Sequence, residues 1–450
     1  MYEHSGLLTD LYELTMAAGY LQTRFDARAT FELFVRHLPP QRNYLVAAGL
    51  EQALEFLEHV HFTKDEIAFL RRHPVFSNIR DEFFDYLATF RFTGDVWAVP
   101  EGTLVFAGEP LLRVDAPIIE GQIMETYLLA TLSYQTMIAS KAARVVSVAQ
   151  PRAVVEFGAR RAHGAHASLV AARAAAIGGC VGTSNVLAGQ LFGMETYGTQ
   201  AHSWVMAHEN ESEAFSHFLD AFPHDAVLLL DTYDVRDAVK KIISMGRKPG
   251  GVRIDSGDLA KDSRWIRREL LRAGWKDVRI FASGDLDEFK IAKLVKEDAA
   301  IDAFGVGTAL ATPGDAPHLN LIYKLVEVER GGNVREAAKL SQAKVTYPGR
   351  KQVFRYASKN REYDCDRIAL EDESADGGTP LLAQVMRDGR RVAPPESIAA
   401  LRQRCTSGIA RLPGRYRRID RSAVYPVHYT KRLETMLEKV RQRVRRAAAK

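Results

Sequence analysis

Between residues 226 and 308 the chain repeats one arrangement of apolar and polar positions four times: a short apolar run rich in β-branched residues, a small or acidic residue, then a helical pattern. The four stretches are AVLLLDTYD from Ala226, GVRIDSGD from Gly251, VRIFASGDLD from Val278 and IDAFGVGT from Ile301, with starts 23 to 27 residues apart. That spacing is one strand, one crossover helix and two turns. The intervening VRDAVKKIISMG, LAKDSRWIRRELLRAGW and DEFKIAKLVKED carry helical periodicity, and Gly246 and Gly274 stand where left-handed C-caps belong. Continuously apolar strands alternating with amphipathic helices predict a parallel sheet covered by helices.

Upstream, AVVEFG at 153–158 and METYGT at 194–199 predict further strands, and ARRAHGAHASLVAARAAAIG predicts a helix between them. About six β/α units therefore run from roughly 120 to 329. The reading favours an irregular or incomplete TIM-like α/β barrel over an open doubly wound sheet, and in both architectures ligands sit at the carboxyl ends of the strands. The flanks read differently. ATFELFVRHLP and GDVWAVPEGTLVFAGEPLLRVDAP near the start, and LIYKLVEVE, KQVFRYA and PLLAQVMRDGRRVA near the end, are strand-like, while YLVAAGLEQALEFLEHV reads as a helix. Together they predict a companion α/β sandwich built from both terminal segments: residues 1–118, then the barrel over 119–329, then 330–450 returning to the first and ending in a basic helix.

A chain of 450 residues, 46% hydrophobic and 26% charged, has the composition of a globular protein of two domains or one barrel with a companion. Its formal net charge of +5 is accounted for by the last twenty residues, KRLETMLEKVRQRVRRAAAK, which suit the solvated face of a helix rather than a nucleic-acid or membrane contact. Cys180, Cys365 and Cys405 are far apart without CxxC spacing, which argues against a disulfide framework or a structural zinc. A reducing, cytoplasmic setting fits. No basic and apolar leader opens the chain, and no stretch reaches the roughly 18 apolar residues of a membrane span.

The strand ends present carboxylates, hydroxyls and glycines in turn: Asp231, Thr232 and Tyr233; Arg253, Asp255, Ser256 and Asp258; Ser283, Gly284 and Asp285; Gly305, Gly307 and Thr308. Carboxylates suit ribose hydroxyls or magnesium, and glycines let backbone N–H groups approach a phosphate. The combination points to a phosphorylated sugar, although each turn alone could be a helix cap. Glu156, Arg160 and Arg161 of EFGARRAHGAH follow another strand, and adjacent arginines suit a diphosphate or a carboxylate. His202 has His208 at i+6, off its helix face, so metal ligation is its poorest reading. A nucleophilic role needs a partner on one ring nitrogen, for which Glu209, Glu211 or a carboxylate from another strand are open.

With these residues assembled, the chain resembles the nicotinate phosphoribosyltransferase family. LLTDLYELTMAAGY, FELFVRHLPPQRNYLVAAGLEQAL, EFGARRAHG, GTSNVLAG, YGTQAHSW, VRIDSGDL and FGVGT carry the likeness in order along nearly the whole sequence. The resemblance implies an irregular α/β barrel with an α/β sandwich, and an ATP-coupled transfer of phosphoribosyl from phosphoribosyl diphosphate to nicotinate in NAD biosynthesis. It implies His202 as the histidine transiently phosphorylated by ATP, Tyr12 stacking on the pyridine, Thr199 beside nicotinate, and Arg253 on its carboxylate. Thr308 would take the 5-phosphate, with Gly305 and Gly307 clearing space. To these the reading adds Asp255 as a catalytic carboxylate near the ribose hydroxyls, Ser283 and Gly284 on phosphoribosyl diphosphate, and Arg160 or Arg161 on diphosphate or nicotinate. Magnesium would accompany the polyphosphates. The partners implied are the small-molecule substrates and a second copy, in a homodimer whose N-terminal segments complete each other's sites. Nicotinamide or quinolinate as substrate, an aldolase or isomerase on a sugar phosphate, and a non-enzymatic barrel are the rival readings.

Overall fold

The computed structural model describes residues 4–342 and 344–448. They divide into two compact units: one comprises the chain up to Met137, His318–Ser397 and the segment from Ser407 onward, the other Ile138–Pro317 with Ile398–Thr406. The divisions fall at 137/138 and 317/318, where the sequence pattern puts 118/119 and 329/330. The helix Glu125–Ala149 crosses the first of them, which a boundary placed at a change of pattern cannot capture.

The second unit is built on six parallel strands in the order Gly182–Thr183, Ala153–Glu156, Ala303–Val306, Arg279–Ala282, Gly251–Ile254 and Val227–Leu229. Both outer strands bond to one extended segment. Thr183 N–H donates to Glu195 O at 3.0 Å and Thr183 O accepts Tyr197 N–H at 2.9 Å, while Gln200 N–H donates to Val227 O at 3.1 Å. A sheet whose two edges meet the same segment must curl, so residues 195–200 act as a seventh, irregular stave of the barrel. METYGT, expected to be a strand, forms only one bridge, Thr183 to Thr196. Its bonds to a barrel strand run to Thr183, and the bond to the opposite edge comes from Gln200, the residue after it, so neither side builds a ladder.

The strands carry the core. Leu228, Leu229, Ile254, Ile280, Ala282, Phe304 and Val306 are fully buried, and the helices lay Ala238, Val239 and Ile242, then Ile266 and Leu270, then Ile291 against them. Each such aliphatic side chain contributes about 1.5–3 kcal/mol by leaving water. Asp234, Asp258 and Asp287 start the three helices by accepting their first-turn N–H groups, and Gly246 and Gly274, at φ 65° and 77°, end two of them. Asp258, read from sequence among the rim carboxylates, is thus a cap.

In the first unit, seven antiparallel strands run in the order Asn333–Glu336, Leu321–Arg330, Arg28–Val35, Pro110–Pro117, Asp95–Ala98, Ala383–Arg387 and Arg390–Arg391. Three early strands lie between two pairs of late strands in one sheet, as a sandwich made from both termini requires. A four-stranded sheet, Thr379–Pro380, Lys351–Ala357, Tyr363–Leu370 and Val427–Tyr429, is tied to it by the buried pair Lys351 Nζ to Glu32 Oε2 at 2.7 Å. The basic helix Lys431–Ala448 buries Leu433, Leu437 and Val440 and leaves its arginine-rich end in solvent. YLVAAGLEQALEFLEHV is helical only from Leu50, because Gly49 sits at φ 100° and the preceding Leu45–Val46 pairs with Leu104–Val105.

Candidate active site

Arg253 stands near the carboxyl end of its strand and bonds side chains from two other staves and from the end of its own. Its Nε donates to Ser283 Oγ at 2.7 Å, Nη1 to Thr199 Oγ1 at 2.8 Å, and Nη2 to Asp255 Oδ1 at 2.6 Å. Ser283 in turn donates to Asp255 Oδ1 in a short bond. The two charged side chains are 15% and 28% exposed, so the pair is shielded from water but reachable from the rim. A guanidinium has five N–H donors, and these three bonds leave one on each terminal nitrogen. Burial pushes the Asp255 carboxyl up, but donors from Ser283 and Arg253, the Arg253 charge and His202 outweigh it and hold the group below the usual carboxylate range.

Asp231 pins the next turn, its Oδ2 accepting Asp255 N–H at 3.0 Å and Ser256 Oγ at 2.5 Å. Its Oδ1 is buried with no hydrogen-bond partner among the described residues. His202 opens the short helix His202–Met206, and its Nδ1 shares a hydrogen bond with Thr232 Oγ1 at 3.1 Å. The ring's neighbour is therefore a hydroxyl from the adjacent stave. Of the sequence candidates, Glu211 pairs with Lys241 at 3.0 Å, and Glu209 lies exposed in a turn where its N–H bonds Glu213. Asp231 and Thr232 held no assigned role in the sequence reading, and the only signal for them was the recurrence of polar residues at strand ends.

The phosphate-side residues divide. Gly284, at φ 93°, has no room for a side chain: a Cβ would lie 1.9 Å from Asp255 O. Thr308 is exposed at the start of the Thr308–Ala311 turn, with its hydroxyl unpartnered among the described residues. Gly305 and Gly307 make room for protein atoms. A Cβ at Gly305 would strike the Phe157 ring at 2.5 Å, and one at Gly307 would meet Phe157 O at 2.9 Å, so both glycines admit the turn after the neighbouring strand. In that turn Arg160 and Arg161 are exposed, with no ion pair among the described residues. Glu156 is a buried brace, accepting Thr183 Oγ1 at 2.6 Å and Gly158 N–H; burial pushes its carboxyl up.

Tyr12 belongs to the other compact unit. It is 45% exposed on the first turn of the helix Leu11–Gln22; partial burial and the nearby Glu125 raise its phenol. The neighbouring Glu13 is fully buried, accepting Thr126 Oγ1 at 2.6 Å, Thr126 N–H at 3.1 Å and Thr9 Oγ1. Among the described residues no group of three or more His, Cys, Asp or Glu side chains is placed to hold a metal, and no helix is long and apolar enough to cross a membrane.

Three family models match consecutive parts of the chain: the nicotinate phosphoribosyltransferase N-terminal domain over residues 7–133, the nicotinate phosphoribosyltransferase family over 153–365, and its C-terminal domain over 378–437. The nicotinate phosphoribosyltransferase pncB2 of Mycobacterium tuberculosis is 44% identical over 98% of this chain and 95% of its own length. The Bacillus subtilis nicotinate phosphoribosyltransferase is 42% identical over 82% and 76%. Among solved structures, human nicotinic acid phosphoribosyltransferase superposes with a TM-score of 0.83 at 29% identity, covering 96% of this chain and 99% of that one.

Proposed function

The chain belongs to the nicotinate phosphoribosyltransferase family and is an enzyme of NAD biosynthesis, and from that premise we propose an ATP-coupled reaction through a phosphohistidine at His202. Nicotinate, phosphoribosyl diphosphate, ATP and water give nicotinate mononucleotide, diphosphate, ADP and phosphate. The observation that carries the substrate assignment is the Arg253 hub. Its three bonds fix the guanidinium plane, and the two N–H groups left over form a fork for one carboxylate, as nicotinate has and nicotinamide lacks.

The pyridine nitrogen attacks the anomeric carbon as the bond to diphosphate breaks, through a transition state with oxocarbenium character. Asp255 stays ionised beside Arg253 and offers its second oxygen, Oδ2, to the ribose hydroxyls and the developing positive charge. Thr308, Ser283 and the Gly284 turn bind the 5-phosphate side, and the unpaired Arg160 and Arg161 meet the diphosphate. Magnesium carried by the polyphosphates would neutralise charge on the leaving group, and Asp231 Oδ1, without a hydrogen-bond partner among the described residues, is an oxygen donor of the kind that would hold it.

His202 couples the energy. An imidazole nitrogen forms the N–P bond as the bond to ADP breaks, and water later releases phosphate. Phosphorylation adds close to two negative charges a strand away from Arg253, enough to reorganise cations at the rim. Thr232 orients the ring. Tyr12 covers the pyridine of the partner subunit's site in a homodimer. Support for that assembly comes from exposed apolar side chains on each unit: Leu8, Leu11, Tyr12 and Met16, 38–45% exposed, and Val186, Leu187 and Leu191, 48–76% exposed.

The test is product analysis with nicotinate, nicotinamide and quinolinate, each with phosphoribosyl diphosphate and magnesium, with and without ATP. Nicotinate mononucleotide formed faster with ATP is the expected result. Preference for nicotinamide, or turnover of a sugar phosphate alone, would overturn the assignment.

A further inference from the structure

Away from the Arg253 hub, the barrel unit buries a second set of charges. Lys141 and Arg144 are each 3% exposed on the helix Glu125–Ala149, and Glu288 is wholly buried at the start of the helix Glu288–Lys296. Lys141 Nζ lies 2.6 Å from Glu288 Oε2 and 3.0 Å from Asp315 Oδ1, and Arg144 Nε lies 3.0 Å from Glu288 Oε1. Burial opposes ionisation of Glu288, but the charges and hydrogen bonds of Lys141 and Arg144 prevail and keep its carboxyl below the usual range.

The two carboxylates come from different loops of the rim. Glu288 closes the turn that begins at Ser283 and follows the strand Arg279–Ala282; Asp315 lies in residues 312–317, after the Thr308–Ala311 turn. One ammonium thus spans consecutive loops. Stability alone does not account for it, because apolar replacement of a buried ion network is often neutral or stabilising. Apolar packing lacks direction, however, whereas a hydrogen bond to Asp315 and an ion pair with Glu288 from one ammonium fix where each carboxylate sits. The turn at Ser283 has little slack either, since Gly284 already presses on Asp255 O.

We infer that Lys141 is a positioning residue for phosphoribosyl diphosphate: it straps the Ser283–Glu288 turn to residues 312–317 and so sets the spacing of the two loops that hold the phosphorylated ribose. The inference rests on the assignment of Ser283, Gly284 and Thr308 to that substrate. Thr199, on the far side of Arg253, and the nicotinate fork are outside the strap.

The test measures binding of phosphoribosyl diphosphate with magnesium by calorimetry, KM for both substrates, and thermal melting, for Asp315→Asn, Lys141→Met, Lys141→Arg and Thr308→Ala. Asp315 has a 36% exposed side chain, so its variant keeps the core intact even if Lys141→Met does not fold. Asp315→Asn is expected to raise Kd and KM for phosphoribosyl diphosphate about three- to tenfold, with KM for nicotinate and kcat within about twofold. Lys141→Arg should recover most of what Lys141→Met loses. Wild-type phosphoribosyl diphosphate binding by Asp315→Asn, or parallel rises in both KM values, would overturn the strap. If Thr308→Ala binds normally while Asp315→Asn is weakened, the Thr308 assignment fails and the strap stands; the opposite pair of results removes the strap alone.

Discussion

Replacing Arg253 by lysine isolates what the guanidinium fork does. Lysine keeps the positive charge but supplies a single nitrogen, which cannot bond Ser283, Thr199 and Asp255 together at the 2.6–2.8 Å seen here and also present two parallel donors outward. A carboxylate held by two charge-assisted bonds keeps at most one. The loss is one bond of about 1.5–3 kcal/mol, which at about 1.4 kcal/mol per decade is a 10- to 150-fold fall in kcat/KM for nicotinate. Nicotinamide, with no charge to meet the fork, should lose less than about threefold on the same basis. Steady-state kinetics with both pyridines at saturating phosphoribosyl diphosphate and ATP give the two ratios directly. Equal losses for the two substrates, or an unchanged value for nicotinate, would refute the claim that Arg253 reads the carboxylate.

Gly284→Ala should lower the melting temperature and abolish binding of phosphoribosyl diphosphate, because a Cβ 1.9 Å from Asp255 O at φ 93° forces the turn apart; a melt and a calorimetric titration check it. Burial raises the Glu13 carboxyl from 4.5 to about 7, with Glu125 adding to the rise against donors from Thr126 and Thr9. The folded chain therefore binds the extra proton in that window, and stability should decline as pH rises from about 4.5 to 7; Glu13→Gln should flatten that slope in denaturant titrations. Asp255 has the opposite sign: its lowered value keeps the Arg253 pair ionised throughout that range, so Asp255→Asn should cut kcat without changing the acid limb of the pH–rate profile. Cys180 and Cys405, fully buried with thiols pushed up by burial, should resist alkylation in the native protein while Cys365, half-buried, reacts.

The period of the apolar pattern was enough to read four of the barrel strands, because their aliphatic positions are buried and three of the crossover helices start on an aspartate cap. The sandwich was legible for a similar reason, its strands alternating or running apolar on both sides of the barrel segment. Contacts between staves were not. His202 bonds Thr232 across thirty residues of sequence, so no local spacing could choose it over Glu209 or Glu211. Gly305 reads as a phosphate cradle in GVGT, yet the atom it makes room for is the Phe157 ring of another strand. Lys141 and Arg144 look like polar punctuation in a mostly apolar helix, and only the arrival of Glu288 explains them. METYGT has strand composition, but its pairing stops at Thr183 and the next residue, Gln200, turns to the opposite edge at Val227, a property of barrel geometry that composition does not encode.

The most direct measurement is incubation of the wild-type protein and of His202→Ala with γ-labelled ATP and magnesium, followed by denaturing gel separation in alkaline and acidic conditions. Acid-labile, base-stable label is expected on the wild type and none on the variant, with the variant still forming nicotinate mononucleotide slowly and without stimulation by ATP. Equal labelling of both proteins, or full ATP stimulation in the variant, would contradict the assignment of His202 as the phosphoryl carrier.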